Sequence, residues 1–247
     1  MQVERVVRHQ RMKPNRLVLF DIDGTLLHGG GLWAGSFVHS LNTFFPGSEM
    51  PLVKFGGRTD YHIVQECLSH WGCSDEEIEA KGAQILDFYL NTVEKSVRSG
   101  THHEIEVLEG AMGLLNRLNG DPRVRLAVLT GNIQRGADLK LKYAEMDSYF
   151  EMKVTGDDHW DRYELPAIAQ KRAKELGLGE FQGKEIVIIG DTIHDVNCGK
   201  KLGVRTIAVG TGRGVDRDEL LAQNPDFFFH TLADIQPVLK AIIEDLA

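Results

Sequence analysis

Residues 17–25 read LVLFDIDGT, in which an apolar run leads directly into two aspartates separated by a single isoleucine. In an extended segment alternate side chains point the same way, so Asp21 and Asp23 share one side of the chain. Two carboxylates this close repel each other unless they share a proton or meet a basic side chain or a hard divalent cation. Gly24 lets the chain turn directly after the pair, and Thr25 supplies a hydroxyl. The stretch therefore predicts a buried strand that ends in a chemically active pair of acids.

Other continuous apolar runs predict further buried parallel strands, because such strands are covered on both faces. These runs are RLVLFDI from Arg16, VRLAVLT from Val124, EIVIIGD from Glu185 and VRTIAVG from Val204, with YFEMKVTG as a further strand. Helical patterns lie between and after them, including a C-terminal helix with an expected N-cap at Thr231. Alternating strands and helices predict an α/β fold with a parallel sheet covered on both faces. In such sheets, ligands bind beyond the C-terminal ends of the strands.

The region after the first strand interrupts this alternation, because it contains several helical patterns and no convincing buried strand. Its clearest helix begins at Ser74, which has capping-box spacing to Glu77. A helical unit inserted here would cover the C-terminal end of the first strand, as a lid does. We therefore expect three parts: a core of residues 1–27 and 109–247, a helical cap of residues 28–108, and a loose tail of residues 1–15.

Two later strand ends also carry polar side chains. In IVIIGDTIHD, Asp191 closes the apolar run and Asp195 follows after about one helical turn, so both can face one ligand. In LTGN, the Thr130 hydroxyl, the Gly131 backbone N–H and the Asn132 amide stand at the start of a helix, which is an anion site. Together these strand ends combine acids suited to Mg²⁺ with neutral donors suited to a phosphoryl group.

The residue types at these strand ends are sufficient for phosphoryl transfer without a serine, cysteine or histidine nucleophile. A carboxylate can attack phosphorus to form an aspartyl-phosphate, which water then hydrolyses. A second carboxylate is needed to protonate the leaving oxygen and afterwards to deprotonate water. A Mg²⁺ ion would neutralise the charge that otherwise repels the nucleophile from the phosphoryl oxygens.

The motifs DIDGT, TGN and GDTIHD, in this order over most of the chain, resemble those of the haloacid dehalogenase-like hydrolase superfamily. The resemblance implies a Rossmann-like core with an inserted helical cap, and a cofactor Mg²⁺. It points to the phosphatase branch, similar to phosphoglycolate phosphatases, since true dehalogenases lack the second aspartate. The implied roles are Asp21 as nucleophile and metal ligand, and Asp23 as general acid/base that also offers its backbone carbonyl to the metal. Thr130 is implied as a phosphate ligand, and Asp191 as a metal ligand that Asp195 assists. Gly131 and Asn132 are candidate phosphate-binding residues from their position in LTGN.

Three features depart from the family pattern or extend it. The family usually places a lysine, or sometimes an arginine, before the last motif, and here Arg162 resembles the arginine version, with Lys153 as the second candidate. His28 stands where an acidic residue commonly follows DGTL. KFGGRTD resembles the substrate-specificity loop of helical caps, which would place Gly57 and Arg58 at the substrate entrance. A plain helix-initiating turn explains those two residues nearly as well.

The composition argues against several classes of protein and partner. The net charge of −8 argues against nucleic acid and anionic membranes as partners. The apolar runs are too short for a signal peptide or a membrane span, and three cysteines without paired spacing favour a reduced, cytoplasmic compartment. We interpret two weaker motifs as structural. The first is a solvated connector that contains His102, His103, Glu104 and Glu106. The second, GTGRG (210–214), is a loop without dinucleotide function.

The sequence therefore predicts a Mg²⁺-dependent phosphomonoester hydrolase that acts on a small phosphorylated metabolite. A phosphomutase is the first alternative, although similar mutases usually have valine where this chain has Thr25. A phosphonate hydrolase would need a cap lysine such as Lys54. An alternative of another class is a non-catalytic metabolite-binding protein on the same scaffold. The substrate and the oligomeric state are not predicted.

Overall fold

The computed structural model describes residues 15–100 and 105–244 of the protein. Most of the expected N-terminal tail lies outside these ranges, as do His102, His103 and Glu104. Within the described ranges, no helix combines the length and the apolar character needed to cross a bilayer.

A parallel sheet forms the centre of the molecule. The described strands are, in chain order, β1 (Arg16–Phe20), β2 (Leu27–His28), β3 (Glu106–Val107), β4 (Val124–Leu129), β5 (Met152–Val154), β6 (Ile186–Gly190), β7 (Arg205–Val209) and β8 (Phe227–Phe229). Six of them pair in the order β5-β4-β1-β6-β7-β8, and every pairing in this sheet is parallel. The five predicted strands become β1, β4, β5, β6 and β7, so the predicted parallel sheet is confirmed.

The register of the sheet gathers the polar strand ends at one edge. Phe20, the last residue of β1, pairs with Val128 of β4 and Ile189 of β6. The three central strands therefore end side by side, and the residues that follow them share the space beyond that edge.

Helices cover both faces of this sheet. The described α-helices are, in chain order, α1 (Gly30–Phe44), α2 (Asp60–His70), α3 (Asp75–Arg98), α4 (Ala111–Asn119), α5 (Gln134–Tyr143), α6 (Leu165–Glu175), α7 (Ile193–Leu202), α8 (Arg217–Ala222) and α9 (Ile235–Ile243). Helices α4, α5 and α9 share an apolar cluster with Val18 and Phe20, and α6 and α7 share another with Leu17 and Leu19. Because side chains alternate along β1, this burial on both faces requires a continuous apolar run.

Helices α1, α2 and α3 pack around a third apolar cluster, which also includes Ile133 next to α5. The predicted capping box at the start of α3 is confirmed: Ser74 Oγ accepts the Glu77 N–H at 3.3 Å, and the Glu77 carboxylate accepts the Ser74 N–H at 3.1 Å. Where this helical segment leaves and rejoins the sheet, β2 and β3 pair antiparallel, with Leu27 opposite Val107. The residue boundaries of core and cap remain predictions.

The expected N-cap of the C-terminal helix is wrong. Helix α9 begins at Ile235, and its N-cap is Asp234. Thr231 instead closes a local turn, since its Oγ1 accepts the Ala233 N–H at 3.2 Å. Leu232 is buried in the sheet core and belongs to this turn, so its apolar character extended the helical pattern too far towards the N-terminus. Strands β2, β3 and β8 are only two or three residues long, which is too short for a recognisable pattern.

Candidate active site

The predicted pair of acids follows β1 at the edge where the parallel strands end. Asp21 is 4% exposed, whereas the Asp23 side chain is 42% exposed, so the two carboxylates have different environments. The chain turns at Gly24, which has a φ of +83°. A Cβ atom on Gly24 would lie 2.3 Å from Oδ2 of Asp191. Glycine is therefore required by both the backbone conformation and the packed carboxylate.

Three buried carboxylates meet beyond the central strands. Asp21, Asp191 and Asp195 each offer one oxygen, and these oxygens all lie within 4.8 Å of one another. Thr25 Oγ1 donates to Oδ1 of Asp191 at 3.2 Å. Asp195 also caps α7, because its Oδ2 accepts the Thr192 backbone N–H at 3.0 Å and the Thr192 hydroxyl at 2.6 Å. Asp195 therefore combines a helix-capping contact with a place in the acidic cluster.

Arg162 is the basic residue that the structure brings to these acids. It begins a short 3-10 helix before α6, is 4% exposed, and places Nη2 3.0 Å from Oδ1 of Asp21 and 2.5 Å from Oδ1 of Asp195. The second candidate, Lys153, bonds to Asp138 at 2.6 Å and is not among the residues around the acids. The two candidates are close in sequence, so only the packing distinguishes them.

The acidic cluster carries more negative charge than its arginine offsets. Burial raises the pKa of Asp21 to about 7, against the attraction of Arg162. Burial also raises the pKa of Asp191 well above its ordinary value, and the neighbouring Asp21 carboxylate adds to this. Within the described part of the chain, Arg162 is the only cation in ion-pair contact with the cluster. Clustered carboxylate oxygens with excess negative charge suit a hard divalent cation such as Mg²⁺.

The LTGN motif connects the end of β4 to the loop before α2. Thr130 is fully buried, and its Oγ1 accepts the Asn132 backbone N–H at 3.3 Å and the Asn132 side-chain amide at 2.8 Å. A Cβ atom on Gly131 would lie 2.0 Å from the Arg58 carbonyl oxygen. The Asp60 N–H donates to the Gly131 carbonyl at 2.9 Å. Glycine at this position therefore lets the helical segment contact the strand end directly.

Lys140, on α5, is a site residue that the sequence analysis missed. Its Nζ lies 2.6 Å from Oδ2 of Asp23, 2.7 Å from Oδ1 of Asn132 and 4.6 Å from the ring centroid of Trp33. The Lys140 side chain is only 5% exposed. A signal for it exists in the sequence, because Lys140 stands at helical spacing from Ala137 on the buried face of α5. A buried lysine on an apolar helix face calls for an acidic partner.

The KFGGRTD loop lies close to the acidic strand ends. Gly57 has a φ of +73°, and a Cβ atom there would lie 2.4 Å from Oγ1 of Thr192. Arg58 forms an ion pair with Glu66. Both Gly57 and Arg58 line the cavity above the acids, whereas Lys54 is exposed and is not a lining residue.

The GTGRG loop also belongs to this site, which the sequence analysis did not anticipate. Thr211 Oγ1 donates to the Gly24 carbonyl at 2.5 Å. A Cβ atom on Gly212 would lie 2.2 Å from Oδ2 of Asp191. The glycines of this loop therefore allow close packing on the carboxylates, and the loop helps to bury them.

These elements enclose a cavity of about 340 Å³. The predicted site residues that line it are Asp21, Asp23, Gly57, Arg58, Thr130, Gly131, Asn132, Arg162 and Asp191. Asp195 does not line the cavity, but it belongs to the acidic cluster and contacts Arg162. His28 is a lining residue, and partial burial together with the charge of Arg213 lowers its pKa.

Known proteins share both the sequence pattern and the fold. A family model described as haloacid dehalogenase-like hydrolase matches residues 18–209. Pyrophosphatase PpaX of Halalkalibacterium halodurans is 27% identical over 225 residues, covering 90% of this chain and 95% of the relative. A hydrolase from Pseudomonas syringae has a TM-score of 0.70 at 21% identity, over 93% of this chain and 99% of that structure. CbbY from Rhodobacter sphaeroides, solved in complex with phosphate, has a TM-score of 0.64 at 17% identity, over 90% and 96%.

Proposed function

Because the chain belongs to the haloacid dehalogenase-like hydrolase family, we propose that it is a Mg²⁺-dependent phosphatase that hydrolyses a small phosphorylated metabolite through an aspartyl-phosphate on Asp21. One observation carries this proposal: Asp21, Asp191 and Asp195 gather within 4.8 Å of one another beside Arg162 and the LTGN motif. Three carboxylates are costly to bury unless a cation offsets their charge. Acids with perturbed pKa values are also typical of functional sites.

In the proposed reaction, an Asp21 carboxylate oxygen attacks phosphorus and the bond from phosphorus to the leaving oxygen breaks. Arg162 holds the Asp21 carboxylate in place and offsets part of its charge. Thr130 and the backbone N–H of Gly131 would orient the phosphoryl oxygens, since the N–H groups of Thr130 and Asn132 already donate to Val154 and to Thr130 Oγ1. Water then attacks the aspartyl-phosphate, which releases inorganic phosphate and restores Asp21.

Asp23 is the proposed general acid/base, because its side chain is partly exposed and lines the cavity. Among the described residues, Lys140 and Asn132 both donate to Oδ2 of Asp23, at 2.6 Å and 2.7 Å. Oδ1 of Asp23 is therefore the oxygen that remains available to protonate the leaving group and afterwards to accept a proton from water.

The residues fit a bound Mg²⁺, which would be held by the carboxylates of Asp21 and Asp191 and the backbone carbonyl of Asp23. Asp195 is the fourth candidate ligand, although its oxygens already accept hydrogen bonds from Arg162 and Thr192. When bound, Mg²⁺ supplies positive charge that offsets the carboxylates and the phosphoryl oxygens.

The test of this proposal is phosphate release from an aryl phosphate in the presence of Mg²⁺. We expect turnover that a chelator abolishes and that added Mg²⁺ restores. Activity that survives chelation would contradict the proposed metal dependence. Incubation with a hexose 1-phosphate separates the phosphomutase alternative, because a mutase yields the 6-phosphate instead of free phosphate. Binding of phosphorylated metabolites without turnover would favour a non-catalytic protein.

Lys140→Met is expected to lower kcat by about 10²-fold, because general acid/base catalysis contributes about 10²–10⁴-fold and Asp23 would lose its buried cationic partner. Steady-state kinetics with an aryl phosphate measure the effect. Lys142→Met is the matched control, since Lys142 is an exposed lysine on the same helix. Equal kcat values for the two variants would show that Lys140 does not support Asp23.

Mg²⁺ binding is expected to strengthen as pH rises, because Asp21, whose pKa burial raises to about 7, must lose its proton to bind the ion. The apparent Kd, measured by calorimetry, should fall by up to about tenfold per pH unit below pH 7. The raised pKa also means that the metal-free folded state keeps a proton that the unfolded chain has lost. Stability of the metal-free protein should therefore decrease as pH rises from the ordinary value of 3.8 to about 7.

Asp21→Asn is the control for this linkage, since it lacks the titrating group. The pH dependence of stability, measured by urea unfolding without metal, should be weaker in this variant than in the wild type. A Kd for Mg²⁺ that stays constant across this pH range would contradict the expected release of a proton.

A further inference from the structure

The cavity extends from the acids into an apolar wall provided by the inserted helical segment. This wall, named here the aromatic wall, consists of Trp33, Ala34, Phe37, Phe55, Ile63 and Tyr89. The acids form one end of the cavity, so a phosphorylated molecule with its phosphoryl group at Asp21 would place its leaving group against this wall.

The aromatic wall has a rigid base and one exposed ring. Phe37 packs edge-on against Tyr89, with ring centroids 5.2 Å apart, and Tyr89 packs edge-on against Trp33 at 6.4 Å. These three residues are buried. Phe55 stands edge-on to Phe37 at 5.5 Å, yet it is 40% exposed. An exposed aromatic ring at a cavity, supported by packed rings, offers a surface for an apolar ligand group.

Among the described residues, the cations that line the cavity all have carboxylate partners, and the pairs of Lys140 and Arg162 are more buried than the exposed pair of Arg213. Within the described part of the chain, each cationic lining residue already contacts a carboxylate: Arg58 contacts Glu66, Lys140 contacts Asp23, Arg162 contacts Asp21 and Asp195, and Arg213 contacts Glu106. A second phosphate group would have to compete with those carboxylates for its donors.

Asp60 adds a further obstacle to an anionic leaving group. Its carboxylate lines the same cavity, and its Oδ2 accepts the Ile133 N–H at 2.9 Å. Burial raises the pKa of Asp60 to about 6, whereas the positive charge of Lys140 and the hydrogen bond from Ile133 favour the carboxylate form. A negative charge here would repel the second phosphate of pyrophosphate, whereas an uncharged organic group would not meet this repulsion.

We propose that the natural substrate is a phosphomonoester whose leaving group is a small, uncharged organic group with an apolar face that packs on Phe55 and the aromatic wall. This inference rests on the proposed phosphatase function. A cavity of about 340 Å³ is near the lower end of the range of about 300–1,000 Å³ for ligand pockets and suits a leaving group of about one ring. The chain therefore differs in substrate class from its relative named as a pyrophosphatase.

The experiment compares kcat/KM for benzyl phosphate, ethyl phosphate and inorganic pyrophosphate with the Mg²⁺-loaded enzyme. Benzyl and ethyl phosphate are both alkyl esters with similar leaving alcohols, so their comparison isolates binding of the ring from chemical reactivity. We expect benzyl phosphate to exceed ethyl phosphate by about tenfold or more, since a few apolar carbons in a pocket give discrimination of this size. We expect pyrophosphate to be the poorest of the three.

Phe55→Ala tests whether the aromatic wall causes the preference for benzyl phosphate over ethyl phosphate. It should lower kcat/KM for benzyl phosphate about tenfold, mainly through KM, and change the value for ethyl phosphate less than about twofold. Phe55→Leu should retain part of the preference. Leu52→Ala is the matched control, because Leu52 is a fully exposed apolar residue in the same loop and does not line the cavity.

The two proposals can fail separately. Turnover of an aryl phosphate together with a higher kcat/KM for pyrophosphate than for benzyl phosphate would overturn the organic leaving group and leave the phosphatase function intact. Equal values for benzyl and ethyl phosphate, or equal losses on both in Phe55→Ala, would do the same. Absence of turnover with every monoester would overturn the proposed function and this inference with it.

Discussion

Asp21→Asn is expected to reduce phosphate release from an aryl phosphate by at least about 10⁴-fold, because the amide cannot attack phosphorus and removal of a nucleophile has effects of this order. The substitution preserves the shape of the side chain. It also removes a carboxyl group whose pKa burial raises to about 7, so no loss of stability is expected at neutral pH. Lost activity in a protein of unchanged stability would assign a chemical role to Asp21.

Two measurements accompany this prediction. Wild-type enzyme quenched with acid during turnover should carry one phosphoryl group on the peptide that contains Asp21, which mass spectrometry detects. Asp147→Asn is the control, since Asp147 is a half-exposed aspartate that pairs with Lys153 away from the cavity. If Asp21→Asn were as active as Asp147→Asn, the aspartyl-phosphate mechanism would be wrong.

Arg162→Met is expected to lower the free energy of unfolding of the metal-free protein by about 3–5 kcal/mol, because it leaves buried carboxylates without their cation. Arg162 is 4% exposed and contacts both Asp21 and Asp195. Activity should also fall, since Asp21 loses the contact that holds it. Saturating Mg²⁺ should recover part of the lost stability, because the ion would offset the same negative charge.

Arg135→Met is the matched control for this substitution. Arg135 also contacts two carboxylates, those of Asp87 and Glu94, but its side chain is 38% exposed. Exposed ion pairs contribute about 1 kcal/mol or less, so urea unfolding should show a small change in Arg135→Met. Equal losses of stability in the two variants would mean that burial of the acids does not depend on Arg162.

Sequence patterns correctly predicted several properties that depend on neighbours along the chain. The apolar run before Asp21 predicted β1 and its burial, and the spacing from Ser74 to Glu77 predicted the start of α3. The hydropathy pattern placed the start of α9 wrongly at Thr231, because Leu232, a buried turn residue, is as apolar as the buried residues of the helix that follows. Hydropathy reports that a residue is buried and does not report its backbone conformation.

Partners that lie far apart in the chain were beyond the sequence analysis. Lys140 meets Asp23 across 117 residues, and no local pattern connects them. GTGRG was interpreted as a loop without dinucleotide function, and nothing in its composition indicated that Gly212 would pack on Asp191. Each contact depends on strand register and on the angle at which a helix or loop leaves the sheet.

The sequence by itself determined the parallel sheet, the interrupting helices and the acids that stand at the strand ends, because alternation, helical spacing and continuous burial are local properties of a chain. Only the tertiary structure decided that Arg162 and not Lys153 meets those acids, that Lys140 supports Asp23, and that Phe55 stands over the cavity. Ion pairing and cavity shape depend on distances of a few ångströms between segments, and those distances exist only after the sheet has aligned its strands.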